Sequence, residues 1–308
     1  MTYISHAEDA RLRPVPCLIR LEYYNTINDP EITLFEDTSV VQGHTYCYRV
    51  TFTHLDCCDQ TTVYESPFSN IDCNQLCNFT NMGPMDVTFI IDNTGSMGDQ
   101  PLTQLRNGIN KVLDDIQAAS GNDYRLAIVT PDNDQVHVWL DFSSDNRSAF
   151  TSALNSVTPS GGGNTPESTD ECLNTVLNAL AASGRSNPRN CTPVSSPLQI
   201  GDFSPAMRSN VKKFVVMITD AEPGGFCDFG DNGAQAAIYA QQAKNNCVKI
   251  NAIQVNLSGD GPDPACQTVM LNYEHVTCGW YSDIPHDGTG VADAVDRMLY
   301  TASFCNCP

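Results

Sequence analysis

The chain has 308 residues, of which 41% are hydrophobic, so it is long enough for two domains and apolar enough to bury a core. Its formal net charge of −20 argues against nucleic acid and anionic membrane surfaces as partners, because both are negatively charged. No apolar run reaches the roughly 18 residues that a membrane span needs, so no span is predicted.

Fourteen cysteines constrain where the protein works. This density is typical of an oxidising environment and predicts structural disulfides, with six cysteines before residue 80 and eight after it. The chain begins without the basic and apolar segments of a signal peptide. We therefore expect an extracellular or particle-surface location, reached by cell lysis, by a dedicated secretion system or as a mature fragment. The alternatives to structural disulfides are zinc binding by Cys57, Cys58, Cys73 and Cys77, and an interchain bond from residues 305–307.

Residues 1–80 are predicted to form a small all-β, sandwich-like module. Turn signals separate short β-favouring runs without an intervening helical pattern, at 17–24, 31–35, 45–52 and 61–64. Three segments resemble the later strands of a fibronectin type III domain: Phe35–Thr38, Gly43–Val50 and Glu65–Asn70. The early strands of that family, with their core tryptophan, have no counterpart. We therefore expect either an abbreviated module stapled by disulfides or an open edge that something else covers, because an uncovered edge invites pairing with another chain.

Residues 81–308 follow a different pattern, in which strands alternate with helices after a linker at 71–85. The predicted strands are Val87–Ile91, Tyr124–Thr130, Val136–Phe142, Val211–Asp220 and Val248–Leu257. The predicted helices are 101–119, 147–157, a helix from 167 to about 184, 233–246 and 291–302, with an irregular insertion at 185–209. This alternation predicts an α/β fold, with a doubly wound, mostly parallel sheet and helices on both faces.

The stretch Asp86–Asp99 is the most informative one in the chain. It is an apolar, β-favouring run that ends in a carboxylate, two hydroxyls and two glycines. Asp92, Thr94 and Ser96 place three oxygen donors at the carboxyl end of a predicted strand, where open α/β sheets bind their ligands. Hard oxygen donors suit Mg²⁺ or Ca²⁺ and suit zinc poorly.

Two distant segments end beside the same predicted sheet edge. Gly163–Pro166 adds the hydroxyl of Thr165, and Ile218–Asp220 adds the carboxylate of Asp220. The combined set has two carboxylates and three hydroxyls, which is less than a full octahedral shell. Mg²⁺ tolerates such a set because it retains waters and can accept an oxygen from outside.

These three segments closely resemble, in order and spacing, the metal-ion-dependent adhesion site of the von Willebrand factor type A family. The resemblance covers roughly residues 85–303. It implies a Mg²⁺ site that can also take Ca²⁺ or Mn²⁺, with a remaining position for an Asp or Glu carboxylate of a partner protein. The implied direct ligands are Ser96, Thr94 and Thr165, with Asp92 and Asp220 acting directly or through water. Asp99 matches a position that helps to bind a second ion in some integrins.

Each of these residues also has a simpler interpretation. The motif side chains, or Asp99, could cap the following helix. Gly161–Gly163 lacks the Lys-Ser/Thr of a phosphate-binding P-loop, and Ser96 does not lie in a nucleophile-elbow pattern. The six histidines include no His-Glu-x-x-His pair, so no metalloprotease is predicted.

The sequence leaves three functional hypotheses, and none of them is an enzyme. The first is a metal-dependent adhesion or assembly protein. The second is a structural subunit of an extracellular particle, such as a virion tail, fibre or decoration protein, which contacts other subunits through its cysteines or its N-terminal β edge. The third, an accessory subunit of a metal chelatase or secretion machine, fits the cysteine content less well, because such proteins work in reducing cells.

Overall fold

In the computed structural model, the chain divides into two compact units, Met1–Asn78 and Phe79–Pro308. The structure describes residues 2–9, 21–27, 45–55, 63–65, 72–75, 82–132, 135–142, 147–160, 167–187, 196–226, 232–257 and 261–301.

The first unit contains an antiparallel sheet. Its strands are β1 (Thr2–Asp9), β2 (Leu21–Ile27), β3 (Thr45–Leu55), β4 (Val63–Glu65) and β5 (Asp72–Gln75). They pair in the order β2-β1-β3-β4, and β5 also pairs with β3. Most of the fibronectin-like segments, at 35–38 and 66–70, lie outside the described residues, so that interpretation stays a prediction. The candidate zinc ligands and residues 305–307 also have no described side chains.

The second unit alternates strands and helices. Its strands are β6 (Met85–Ile91), β7 (Tyr124–Thr130), β8 (Val136–Leu140), β9 (Gln199–Ile200), β10 (Lys212–Thr219), β11 (Val248–Val255) and β12 (Trp280–Ile284). Its helices are α1 (Asp99–Ser120), α2 (Arg147–Ser156), α3 (Thr169–Asn178), α4 (Asn232–Asn245), α5 (Pro264–Thr277), α6 (Val291–Asp296) and α7 (Met298–Thr301).

The seven strands form one sheet in the order β12-β11-β10-β6-β7-β8-β9. All neighbouring pairs are parallel except β7 and β8, which confirms the predicted mostly parallel sheet. From β6 the chain adds strands on one side and then returns to β10 on the other side of β6. The strand order therefore reverses between β6 and β10, and ligands bind at such a switch point, beyond the carboxyl ends of the strands. We call this end of the sheet the carboxyl edge and the opposite end the amino edge.

Helices cover both faces of the sheet, which explains why β6 is apolar without alternation. One face packs Val87, Phe89 and Ile91 against α1, α2, α6 and α7. The rings of Phe89 and Phe150 lie there with centroids 5.0 Å apart. The opposite face packs Ile90 against α3, α4 and α5. The central strand that leads into the candidate site is therefore buried on both sides.

Three elements were not predicted from the sequence, and two predicted helices have different extents in the structure. It gave no indication of β9, α5 or β12, although α5 begins at an Asp-Pro pair in which the Asp263 side chain accepts hydrogen bonds from the backbone N–H groups of Ala265 and Cys266. The helix predicted to continue to about 184 ends at Asn178, and the predicted final helix is divided into α6 and α7.

The insertion predicted as irregular is partly integrated into the fold. It supplies the edge strand β9, which pairs with β8, and the fully buried ring of Phe203. Arg185 at its start forms an ion pair with Glu171 of α3, and both side chains are buried. Surface loops do not usually contribute buried groups of this kind, so these described residues of the insertion belong to the domain core.

At the amino edge, the insertion also helps to neutralise the buried carboxylate of Asp86. Arg208 donates to Asp86 from its backbone N–H, at 2.7 Å, and from Nε, at 2.9 Å. Arg125 on the neighbouring strand donates from its own Nε, also at 2.9 Å. Burial raises the pKa of Asp86, but these hydrogen bonds outweigh it, so the net pKa lies below its ordinary value.

Cys172, Cys247 and Cys266 are free thiols. The prediction that the cysteines after residue 80 form structural disulfides is therefore wrong for these three. Cys172 and Cys266 are buried and pack as small apolar side chains within the second face of the core.

None of the helices in the described part of the chain is long and apolar enough to cross a membrane.

Candidate metal centre

The first segment of the candidate site is the loop between β6 and α1. The backbone N–H of Asp92 still bonds to the carbonyl of Ile218 at 2.8 Å, so Asp92 is held to the neighbouring strand β10. Met97 is buried in the core and anchors the far end of the loop. Gly98 follows with a φ of 63°, a left-handed conformation that suits glycine and turns the chain into α1. The loop is thus fixed at both ends.

Asp92 lies at the centre of a hydroxyl network and is fully buried. Its Oδ1 accepts hydrogen bonds from the backbone N–H of Thr94 at 2.9 Å and from the Thr94 hydroxyl at 2.7 Å. Its Oδ2 accepts a hydrogen bond from the hydroxyl of Thr219 at 2.6 Å. The carboxylate is therefore oriented by segments from two adjacent strands.

The predicted partner carboxylate, Asp220, lies within reach of the same loop. Ser96 Oγ donates to Asp220 Oδ1 at 3.0 Å and lies 3.3 Å from the hydroxyl oxygen of Thr94. Residues 124 positions apart in the sequence are thereby joined through one hydroxyl. Thr94 and Asp220 are each 1% exposed, whereas Ser96 is exposed, so the network has a buried floor and an open side at Ser96.

The two carboxylates have too little positive charge around them. Burial raises the pKa of Asp92, against hydrogen bonds from Thr219 and Thr94 that lower it. Burial and the charge of Asp92 raise the pKa of Asp220 to about 6. No lysine or arginine forms an ion pair with either group among the described residues. A bound cation would relieve this electrostatic cost.

The donor set fits a hard divalent cation. Among the described residues, Asp220 Oδ2 is buried and has no hydrogen-bond partner, so one carboxylate oxygen is available for a ligand. The described residues contain no cluster of three or more His, Cys, Asp or Glu side chains, and the site instead combines two carboxylates with hydroxyls. Carboxylate and hydroxyl oxygens suit Mg²⁺, Ca²⁺ or Mn²⁺.

The fifth predicted ligand, Thr165, lies outside the described residues. Two positions later, Glu167 donates its backbone N–H to the carbonyl of Glu222 at 3.1 Å, and the Gly224 N–H donates back to the Glu167 carbonyl at 2.7 Å. The chain that follows Thr165 is therefore fastened to the loop that follows Asp220.

The helix-cap alternative is wrong for the motif side chains and for Asp99. The residue that caps α1 is Gly98, and no side chain forms a cap hydrogen bond. Asp99 is exposed in the first turn of α1, where a negative charge is favourable near the positive end of the helix dipole. Its predicted role at a second ion stays a prediction.

Two residues of the network were missed from the sequence. Thr219 was noted as part of a strand end, but its hydroxyl bonds directly to Asp92. Asn93 holds the neighbouring loop through two hydrogen bonds. Its side-chain N–H donates to the backbone carbonyl of Thr158 at 3.0 Å, and its backbone carbonyl accepts from the backbone N–H of Ser160 at 2.7 Å. For Thr219, the signal in the sequence was a hydroxyl directly before the second carboxylate.

The chain is similar to several solved structures at low sequence identity. Proximal thread matrix protein 1 from the mussel byssus, solved with zinc in its MIDAS motif, is 15% identical over 72% of this chain and 46% of that chain, with a TM-score of 0.48. Manganese-loaded TRAP from Plasmodium vivax is 14% identical over 71% of this chain and 75% of that one, with a TM-score of 0.44. The pilus adhesin SpaC from Lactobacillus rhamnosus GG is 17% identical over 83% of this chain and 31% of that chain, with a TM-score of 0.45. This chain thus spans less than half the length of the mussel protein. No curated protein matches it in sequence.

A family model for the von Willebrand factor type A domain matches residues 86–269, which is more than half of the chain. The match begins on β6 and includes the loop with Asp92, Thr94 and Ser96 as well as Asp220. The central sheet and the meeting of these residues at its switch point agree with that assignment. The chain therefore belongs to the von Willebrand factor type A domain family.

Proposed function

We propose that the second unit is a metal-dependent protein-binding module of an adhesion or assembly protein. Its ligands would be Asp92, Thr94, Ser96, Thr165 and Asp220, which would hold Mg²⁺, with Ca²⁺ and Mn²⁺ as substitutes. The observation that carries the proposal is the pair of buried carboxylates, Asp92 and Asp220, joined through hydroxyls and without a lysine or arginine ion pair among the described residues.

The same arrangement supports a protein ligand with an acidic side chain. If the neutral hydroxyls bind the ion directly and the two aspartates bind it through water, a divalent ion keeps positive charge and favours an anionic oxygen from outside. The exposed Ser96 marks the side from which such an oxygen can arrive. Asp92 is held by three hydrogen bonds, so the chain presents the site in a fixed orientation.

We propose no enzymatic activity. The sequence lacks the nucleophile, histidine-pair and phosphate-loop motifs that would indicate one. The hydroxyl closest to a catalytic candidate, that of Ser96, donates to Asp220 and lies beside Thr94, with no histidine among its hydrogen-bond partners in the described residues. This arrangement favours ligation over nucleophilic attack.

Calorimetric titration with Mg²⁺, Ca²⁺ and Mn²⁺ tests the metal site. We expect one ion per chain for the wild type and a loss of binding of at least about tenfold for Asp92→Ala, since that change removes a central oxygen ligand. Asp114→Ala, an exposed aspartate on α1 that pairs with Arg147, is the matched control and should bind as the wild type does. Equal affinity of the wild type and Asp92→Ala for all three ions would contradict the proposal.

The structural-subunit hypothesis remains a second proposal, and it places the protein at the surface of an extracellular particle. The features that motivate it, residues 305–307 and the fibronectin-like segments, lie largely outside the described residues. Non-reducing electrophoresis of protein from its natural source distinguishes it from the first. A ladder of covalent oligomers favours the subunit role, and a single monomeric band argues against covalent attachment.

A further inference from the structure

The antiparallel sheet of the first unit places two cysteines opposite each other. Cys47 lies in β3 and Cys73 lies in β5, and the two residues are direct partners in the ladder that joins these strands. The ladder has four consecutive pairs, from Thr45 with Gln75 onward, and the cysteines form the third. The pair therefore lies inside the ladder, where the register is fixed from both sides.

The spacing of opposite residues in an antiparallel ladder matches the geometry of a disulfide. Their Cα atoms are about 4.5 Å apart at a non-hydrogen-bonded position and about 5.5 Å apart at a hydrogen-bonded one. A disulfide usually joins residues whose Cα atoms are about 4.4–6.8 Å apart. Opposite residues also share one face of the sheet. Either kind of position thus allows a bond between Cys47 and Cys73 without a movement of the backbone.

The length of β3 keeps two other cysteines away from this pair. β1 pairs with β3 over eight consecutive residues without a register shift, so β3 is extended there. Leu55 ends the strand eight positions after Cys47, which is about 26 Å at about 3.3 Å per residue. The two or three residues that follow span at most about 11 Å. Cys57 and Cys58 are therefore at least about 10 Å from Cys73 in Cα separation, which is too far for a disulfide.

This separation also argues against the zinc alternative, in which Cys57, Cys58, Cys73 and Cys77 share one ion. Two sulfurs at about 2.3 Å from the same zinc lie within about 5 Å of each other, and Cys73 cannot approach the first two residues so closely. Cys17 and Cys77 remain as competing partners for Cys47. Fixing the pair of Cys47 and Cys73 reduces the possible connectivities of the six cysteines before residue 80 about fivefold.

An oxidised pair agrees with the cysteines of the second unit. Cys278 is disulfide-bonded there, so the fold includes at least one cysteine in that state. Cys172 and Cys266 are free, but both are buried in the core, and buried thiols of this kind are inert. Their reduced state therefore does not argue against a bond between two cysteines that the sheet register brings together.

We propose that Cys47 and Cys73 form a disulfide that fastens β5 to β3. The bond forms by thiol–disulfide exchange with a small oxidised disulfide such as that of glutathione. The oxidant accepts two electrons and leaves as two thiols, which carry the two protons that the cysteines lose. β5 has four residues and precedes β6 in the order of elements, so the bond holds the short strand from which the chain continues into the second unit. This inference is independent of the metal site.

Peptide mapping of the full chain tests the bond. The protein is folded in a mixture of oxidised and reduced glutathione, its free thiols are alkylated with N-ethylmaleimide, and it is digested without reduction. Trypsin releases residues 21–49, in which Cys47 is the only cysteine. Glu-C protease and chymotrypsin then cleave after Asp72 and Leu76, and the second cleavage separates Cys73 from the next cysteine. Mass spectrometry should find the two resulting cysteine peptides joined.

The map also shows each way in which the proposal can be wrong. A bond from Cys47 to Cys17 or Cys77 would overturn it, and so would alkylation of both Cys47 and Cys73. Cys47→Ser should leave residue 73 as an additional alkylated thiol, whereas Cys57→Ser should leave the proposed bond intact. If a serine variant does not fold, the map of the wild type still decides.

Hydrogen exchange measures whether the bond holds β5. In the double variant Cys47→Ser/Cys73→Ser, we expect the backbone amides of residues 72–75 to exchange at least about tenfold faster than in the wild type, because the loop of about 26 residues is no longer closed. The amides of β6 should exchange at the same rate in both proteins. Equal rates at 72–75 would show that β5 is held without the bond and would overturn its proposed role.

Discussion

The central strand β6 has a buried aspartate at each end, and the two differ in what surrounds their charge. Asp86, at the amino edge, is fully buried and receives hydrogen bonds from the guanidinium groups of Arg125 and Arg208. Asp92, just past the carboxyl end, is equally buried and receives its hydrogen bonds from the backbone and hydroxyl of Thr94 and from the hydroxyl of Thr219.

The difference separates a structural carboxylate from a functional one. Removing a carboxylate from water is costly unless a cation compensates it. For Asp86 the chain supplies that cation twice, and the net pKa of the group is lowered. For Asp92 the described residues supply none, and burial leaves its pKa raised. An uncompensated buried charge at a ligand-binding edge indicates that compensation comes from outside the chain.

The sharpest way to break this comparison is to neutralise each aspartate in turn, with EDTA present. Asp86→Asn would remove the buried anion that Arg125 and Arg208 share, although Arg208 would keep its pair with Asp123, and we expect the free energy of unfolding to fall by about 3 kcal/mol. Asp92→Asn removes an uncompensated charge, and we expect stability within about 0.5 kcal/mol of the wild type, or above it. Urea unfolding followed by circular dichroism measures both.

The local geometry favours that second outcome. An amide at position 92 can retain its oxygen toward Thr94 and donate its N–H to the hydroxyl of Thr219, whose proton can turn to the carbonyl of Ala221, at 3.2 Å. A large loss of stability in Asp92→Asn, comparable to that of Asp86→Asn, would show that Asp92 serves the fold and would weaken its assignment as a metal ligand.

The second prediction adds the cation. At Mg²⁺ concentrations about 100 times the dissociation constant, binding to the native state alone should stabilise the wild type by about 2.7 kcal/mol. Thermal unfolding with and without EDTA should show this gain in the wild type and in Asp86→Asn, because the amino edge does not contact the ion. Asp92→Asn should show little of it. A Mg²⁺ effect retained in Asp92→Asn would place the ion elsewhere.

The third prediction concerns acid and follows from the sign of the Asp86 pKa shift. A carboxylate whose pKa is lower in the folded state contributes stability above its unfolded pKa and loses it as the pH falls through the folded value. The ordinary value is 3.8, so the loss should begin near that pH and continue below it. Its slope should be at most about 1.4 kcal/mol per pH unit. Unfolding of the wild type and Asp86→Asn over this range should converge as the pH falls.

The sequence predicted one end of β6 better than the other, for a physical reason. The carboxyl end follows a local pattern, in which an apolar run stops at Asp92 and hydroxyls follow at fixed spacing. The order of segments then indicated that Asp220 lies nearby. The compensation of Asp86 depends on Arg208, which is 122 positions away in a stretch that looked irregular. Periodicity reports which face of an element is buried, but not which distant side chain will reach it.

The remaining differences in the fold have two different causes. The segment at 258–290 gave no recognised pattern, yet Asp263 followed by proline is a helix-start signal, and Cys266, Val269, Met270 and Tyr273 recur at helical spacing. That helix could have been predicted. The buried pair of Arg185 and Glu171 could not, because a charged residue beside a serine- and proline-rich stretch is normally exposed.

The smallest expected effect concerns the hydroxyl of Thr219, which donates to Asp92. We compare it with a buried hydroxyl on β6 that does not contact Asp92. Thr219→Val removes the donor to Asp92 Oδ2, and we expect a loss of about 1 kcal/mol in stability and a several-fold weaker affinity for Mg²⁺. Thr88→Val on β6 is the matched control, because the Thr88 hydroxyl is buried and has no hydrogen-bond partner among the described residues. Its replacement should be neutral or stabilising, since it removes an unsatisfied polar group. Calorimetry and urea unfolding on both variants decide the matter: if Thr219→Val binds Mg²⁺ as Thr88→Val does, the Thr219 hydroxyl does not position Asp92 for the ion.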